Sequence, residues 1–81
     1  MVTIEVLGSG CANCQRLETM AKTAVAKLGL EAKVEHVTDM REIMARGVMA
    51  TPGLAVNGKI VSKGRVPAPA EVEGLIRDAL Q

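Results

Sequence analysis

Two cysteines, Cys11 and Cys14, lie where the hydrophobic pattern of the chain changes from that of a strand to that of a helix. Val2–Leu7 before them is short, mostly apolar and rich in β-branched residues, which is typical of a buried parallel strand. After them, apolar residues recur at helical spacing as far as Leu28. The pattern therefore predicts a strand, a tight turn and a helix that begins at Cys11. A disulfide closing so short a loop would restrain the unfolded chain little, so we do not expect it to serve stability.

A second strand and a short helix are predicted next. Glu31–Val37 has the pattern of a strand, and its polar content places it at the edge of a sheet. Asp39, with Glu42 three residues later, has the pattern of a helix start in which Asp39 is the N-cap. We expect this helix to end by Gly47.

The last third of the chain predicts a hairpin and a final helix. Asn57-Gly58 between two apolar runs favours a type I′ turn. Pro69 suits the first turn of a helix with an apolar face. The order is β-α-β-α-β-β-α, and parallel crossovers are right-handed. We therefore predict one α/β domain over residues 1–81, with a four-stranded mixed sheet and helices on both faces.

The predicted core has no aromatic side chain. Hydrophobic residues form 48% of the 81 residues, yet Phe, Tyr and Trp are absent and Met occurs five times. Methionine fills irregular gaps well, so we expect Met20, Met40 and Met44 to fill the core. Met49 is expected either in the core or beside Pro52.

The charge pattern argues against two classes of partner. Ten basic and nine acidic side chains give a net charge of +1, and no long run of one sign occurs. Neither nucleic acid nor an anionic membrane surface is therefore expected to bind. The chain shows no basic, apolar leader and no run of ~20 apolar residues. We expect a cytoplasmic protein, in a compartment where a cysteine pair is more often catalytic or metal-binding than structural.

The spacing of Cys11 and Cys14 suits dithiol chemistry. A thiolate at a helix start is favoured by unpaired N–H groups and by the helix dipole, and a second thiol one turn further in can resolve a mixed disulfide. Redox catalysis is the first interpretation, with no cofactor. A soft-metal carrier for Cu(I) or Zn(II) that uses the same thiolates is the alternative. A redox-regulated adaptor without turnover is a further one.

Taken with Thr51-Pro52 before the hairpin and Gly64 after it, the cysteine pair resembles the motifs of the thioredoxin superfamily, specifically its small, glutaredoxin-sized members. The resemblance implies a thioredoxin-like fold and reduction of protein disulfides by a monomer that takes electrons from a thioredoxin-reductase-like donor. It makes Cys11 the attacking cysteine and Cys14 the resolving one. It also implies a cis bond before Pro52 and a role for the backbone of Thr51 in holding substrate.

Residues around the pair complete the predicted site. We assign Gly10, Ala12 and Asn13 to the substrate-binding surface together with Thr51 and Pro52, and assign no metal ligand. The chain departs from thioredoxin itself, which has Trp where Gly10 stands and Gly-Pro in place of Ala12-Asn13. No residue matches the buried acid that thioredoxin has beneath the resolving cysteine.

Other polar residues have ordinary interpretations. His36 is expected to be a surface or partly buried residue, because no ligand accompanies it at metal-binding spacing. Arg16 is expected on a solvated helix face, with assistance to thiolate formation as the alternative. Lys59, Lys63 and Arg65 are expected to be solubilising charges at a sheet edge.

Overall fold

The structure, a computed structural model, describes residues 1–8 and 12–80. The predicted order of elements is confirmed. The strands are β1 (Val2–Leu7), β2 (Ala32–Val37), β3 (Gly53–Val56) and β4 (Lys59–Lys63), and the helices are α1 (Ala12–Leu28), α2 (Met40–Ala45) and α3 (Pro69–Ala79).

The strands form one mixed sheet in the order β2-β1-β3-β4. β1 pairs in parallel with β2, with Val2 opposite Ala32 and Leu7 opposite Val37. β3 runs antiparallel to both β1 and β4. The polar strand β2 is therefore at an edge, as its sequence predicts, and the apolar strand β1 is inside the sheet.

Helices cover both faces of this sheet, which confirms the predicted layers. α1 and α3 pack over the face that carries Ile4 and Val6. The short α2 covers the other face, where Ile43 packs against Leu7 and Ala55. The buried side chains of the first face are Ile4, Val6, Leu17, Ala21, Ala24, Leu54, Val56, Val72 and Ile76.

The methionines correct the expected core. Met40, Met44 and Met49 are 49%, 55% and 80% exposed, so the prediction of core positions for Met40 and Met44 is wrong. The reason is the length of α2, whose six residues bury a single side chain, Ile43, against the sheet. Met20, on the much longer α1, does pack against the core.

The hairpin between β3 and β4 has the predicted turn. Asn57 and Gly58 have φ values of 51° and 85°, as both central positions of a type I′ turn require. The turn is joined to the start of β1, because the Thr3 N–H donates to Asn57 Oδ1 at 2.9 Å and the Asn57 N–H donates to the Thr3 carbonyl at 2.7 Å. These bonds hold the hairpin in register with β1. Among the described residues, no helix has the length and apolar character needed to cross a membrane.

Candidate thiol–disulfide site

Cys14 is buried at the start of α1, directly over the end of β1. Its side chain is fully inaccessible to solvent. A Cβ atom built on Gly8 would overlap Cys14 Sγ, so the sulfur occupies the space that a side chain at position 8 would need. Gly8 itself is fixed to the sheet, because its N–H donates to the Val37 carbonyl at 2.9 Å. Cys14 Sγ therefore has a defined position that depends on glycine at position 8.

Pro52 lies close to Gly8 and Cys14. The Cβ built on Gly8 would be 3.8 Å from Pro52 Cα, which brings the end of β1, the start of α1 and the segment before β3 together. The Thr51–Pro52 peptide bond is cis, as the resemblance implies. Pro52 is buried and Thr51 is half-buried. The structure thus places Cys14 and the Thr51-Pro52 motif in one location.

Gly64 supports the Pro52 segment from the end of β4. The Gly64 N–H donates to the Pro52 carbonyl at 3.0 Å. Gly64 has φ of 75°, a conformation that L side chains rarely adopt, and a Cβ at this position would be 3.0 Å from Ala50 Cβ. Both the backbone conformation and the close approach therefore require glycine here. Gly64 positions the Pro52 segment against the rest of the sheet.

The other predicted site residues surround this location in part. Ala12 and Asn13 are exposed in the first turn of α1. Cys11 and Gly10 lie outside the described residues, so the assigned roles of the cysteine pair stay predictions. Thr51, Pro52, Ala12 and Asn13 are among the described residues, and their role in binding substrate stays a prediction.

A buried acid, Glu5, is the residue that sequence reasoning missed. It is 7% exposed in the middle of β1. Side-chain alternation puts it on the same face as Leu7, which is the face covered by α2. Arg46 Nη1 lies 2.5 Å from the carboxylate of Glu5, and Arg46 Nη2 lies 3.0 Å from that of Glu42. The hydrogen bond from Arg46 to Glu5 raises the pKa of Arg46 above its usual value. The sequence feature that could have indicated this buried acid is the presence of an acidic residue within a mostly apolar strand.

Among the basic residues in and after β4, only Arg65 is arranged differently from the sequence-based interpretation. Lys59 and Lys63 are exposed on the edge strand, as expected. Arg65 instead forms two hydrogen bonds to Glu71, at 2.5 and 2.8 Å. This interaction lowers the pKa of the Glu71 carboxyl below its usual value. Arg65 therefore links the end of β4 to the first turn of α3.

His36 is half-buried in β2, in agreement with its ordinary interpretation. Its Nε2 atom is buried and has no hydrogen-bond partner in the part of the chain that the structure describes. Within residues 1–8 and 12–80, His, Cys, Asp and Glu side chains form no group of three that could hold a metal ion. This observation does not involve Cys11, on which the soft-metal alternative depends.

Comparisons with known proteins identify the family of this chain. The thioredoxin domain family matches residues 2–77 of the chain. A thioredoxin of Methanothermobacter thermautotrophicus is 42% identical over 76 residues, which cover 94% of this chain and 99% of the relative. A thioredoxin of Methanocaldococcus jannaschii is 37% identical over 81 residues, which cover 100% of this chain and 93% of the relative. The predicted fold and thiol–disulfide oxidoreductase activity are confirmed by this similarity, and the chain belongs to the thioredoxin family.

Proposed function

We propose that Cys11 and Cys14 form the redox centre with which this thiol–disulfide oxidoreductase reduces protein disulfides. The observation that carries the proposal is the position of Cys14 Sγ, which is buried in the first turn of α1 beside Gly8, where the Pro52 segment also approaches. Cys11 precedes it by three residues, which is the separation of attacking and resolving thiols in a C-x-x-C pair.

The reaction moves two electrons from the dithiol to the substrate. The Cys11 thiolate attacks one sulfur of the substrate disulfide, whose S–S bond breaks as a Cys11–substrate disulfide forms. The released substrate thiolate takes up a proton. Cys14 then loses its proton, and its thiolate attacks Cys11 Sγ. The Cys11–substrate S–S bond breaks as the Cys11–Cys14 disulfide forms, and the departing substrate thiolate takes up a proton in place of the one that Cys14 lost.

Burial of Cys14 gives these steps their order. The Cys14 side chain is fully inaccessible to solvent, so disulfides in solution cannot reach its sulfur. Once a substrate is attached to Cys11, the adjacent mixed disulfide is the target within reach of Cys14.

The surface around the pair supplies the proposed contacts with substrate. Gly10, Ala12 and Asn13 flank the cysteines, and Thr51 offers backbone groups beside Pro52 for strand-like pairing with an extended segment. Thioredoxins in general act on protein disulfides and receive electrons from reductases. For this chain we propose a thioredoxin-reductase-like donor, a monomer with one domain over residues 1–81, and a cytoplasmic location, where thiols are kept reduced.

Two serine variants test the proposal. Cys14→Ser removes the resolving thiol, so we expect a disulfide-containing protein substrate to stay attached to Cys11 as a mixed disulfide. Cys11→Ser is the matched control, and it should accumulate no adduct, because the remaining thiol is buried. The adducts are measured by mass spectrometry after acid trapping. Equal adduct formation by both variants, or by neither, would contradict the assigned roles.

A further inference from the structure

A shallow groove lies on the surface of the N-terminal half of α1. Its volume is about 430 Å³, and its lining comes entirely from one face of the helix. The face begins at the residue that follows Cys11 and continues down the helix for two turns. The lining residues are Ala12, Gln15, Arg16, Thr19 and Met20.

The groove has apolar walls and one charge. Ala12, the methyl group of Thr19 and the side chain of Met20 supply apolar surface. The Thr19 hydroxyl donates to the Gln15 carbonyl at 3.1 Å, so it is engaged within the helix. Arg16 is the one charged residue among those that line the groove. A ligand of this groove therefore meets apolar surface with a guanidinium group inside it.

Arg16 has no carboxylate partner among residues 1–8 and 12–80. Arg46, Arg65 and Arg77 each lie within ion-pair distance of a carboxylate, whereas Arg41, like Arg16, has no such pair within the described residues. The first turn of α1 contains no acidic residue. Glu18, two positions after Arg16, lies about 200° away around the helix, on another face. A carboxylate of a bound partner could therefore pair with Arg16 without displacing an ion pair within the described residues.

The spacing connects this charge with the redox centre. Arg16 is four residues after Ala12, which places the two side chains on one face and about 6 Å apart along the helix axis. Because Cys11 directly precedes Ala12 in the sequence, a substrate segment that extends from Cys11 along this face would bring a neighbouring residue to Arg16.

We propose that the α1 groove binds the segment that flanks the disulfide of a protein substrate, and that Arg16 selects segments with an acidic residue beside the cysteine. The inference rests on the proposed function, because it takes Cys11 as the attacking cysteine. In this proposal the role of Arg16 is to recognise the substrate.

Matched peptides test the selection. Three disulfide peptides differ at one position beside the cysteine, which is Glu, Gln or Lys, and each is mixed with the reduced protein in a single turnover. Thiols are trapped with acid and counted by mass. We expect the Glu peptide to react roughly two- to fivefold faster than the Gln peptide at low ionic strength, with the Lys peptide slowest. The differences should shrink at high salt, which screens exposed charges.

Variants of α1 separate a local contact from a net-charge effect. Arg16→Gln should bring the Glu and Gln peptides to equal rates, and Arg16→Lys should restore part of the preference. Lys22→Gln removes the same charge from an exposed position of the same helix, outside the groove, and should keep the preference.

The outcomes are distinct. Equal rates for the three peptides with the unaltered protein overturn the inference and leave the proposed function standing. Equal loss of preference in Arg16→Gln and Lys22→Gln also overturns it, because net charge then explains the effect. Failure of the unaltered protein to reduce any of the three peptides contradicts the proposed function itself, and the inference with it.

Discussion

Replacing Gly8 with alanine should disturb Cys14 more than any other part of the molecule. The added Cβ would overlap Cys14 Sγ, and it would lie 3.4 Å from Cys14 Cβ and 3.8 Å from Pro52 Cα. The sulfur therefore has to move away, although it is fully buried already. Gly8 is not among the glycines with positive φ, so alanine meets no backbone strain there and the effect is one of packing.

The expected cost combines two effects. Overpacking a well-filled interior destabilises by about 1–3 kcal/mol. Replacing glycine with alanine where the backbone permits it stabilises by about 0.4–1 kcal/mol, because the unfolded chain loses freedom. The free energy of unfolding should therefore fall by up to about 2.6 kcal/mol, and by about 1.3 kcal/mol at the midpoints of the two ranges. For a domain of this size each 1 kcal/mol lowers Tm by roughly 4–8 °C.

Urea unfolding of the reduced protein measures this cost. Gly74→Ala is the matched control, because Gly74 lies inside α3 and its added Cβ would make an ordinary contact at 3.7 Å with Arg77. That variant should be more stable by up to about 1 kcal/mol. Gly8→Ala should also lengthen the lifetime of the mixed disulfide at Cys11, since Sγ of Cys14 is displaced. Unchanged stability and unchanged resolution in Gly8→Ala would refute the packing argument.

Three further substitutions test the surroundings of the site. Gly64→Ala, at φ of 75° and against Ala50, should lower the free energy of unfolding by about 1–3 kcal/mol, measured in urea. Arg46→Met leaves the buried carboxylate of Glu5 without its partner and should cost about 2 kcal/mol in the same assay, below the value for a fully buried pair because Arg46 is 28% exposed. Arg65→Gln should raise the pKa of Glu71 towards its usual value, measured by NMR titration. Because the pKa of Glu71 is lowered in the folded protein, the ion pair stabilises above the usual carboxyl pKa of 4.5, and that contribution is lost as pH falls through the lowered value.

Matched controls exist for two of these substitutions. Gly29→Ala shares the positive φ, at 64°, but has open space around it, so it should cost less than Gly64→Ala. Arg77→Met removes an exposed pair with Asp78 and should change stability by less than about 0.5 kcal/mol. Equal costs for Gly64→Ala and Gly29→Ala would contradict the close contact at Gly64, and equal costs for Arg46→Met and Arg77→Met would contradict the role of Arg46. A Glu71 pKa that is unchanged in Arg65→Gln would show that the ion pair does not form in solution.

Features set by neighbouring residues could be predicted from the sequence. The bounds of β1 match the predicted range because a short apolar run and a following glycine define them locally. The type I′ turn at Asn57-Gly58 was predictable because those two residues tolerate positive φ. The order of the elements followed from such local signals.

Features set by distant residues could not be predicted. Glu5 can be buried because it accepts a hydrogen bond from Arg46, which is 41 residues away in the sequence. No local sequence pattern indicates that partner. Met40 and Met44 lie at helical apolar spacing, yet the small face that α2 covers is filled by Ile43 and its neighbours. The identities of these side chains can be read from the sequence, but which of them come into contact depends on how the helices pack against the sheet.

The Cys11–Cys14 dithiol is the central claim, and an equilibrium redox titration tests it most directly. The protein is held in graded thiol/disulfide buffers with a chelator present, its thiols are trapped, and the products are identified by mass. The account predicts a single two-electron transition in which the dithiol of one chain becomes an intramolecular disulfide. Its potential should be about −270 mV, as in a reducing thioredoxin. If no Cys11–Cys14 disulfide forms at any buffer potential, the proposed redox centre is contradicted.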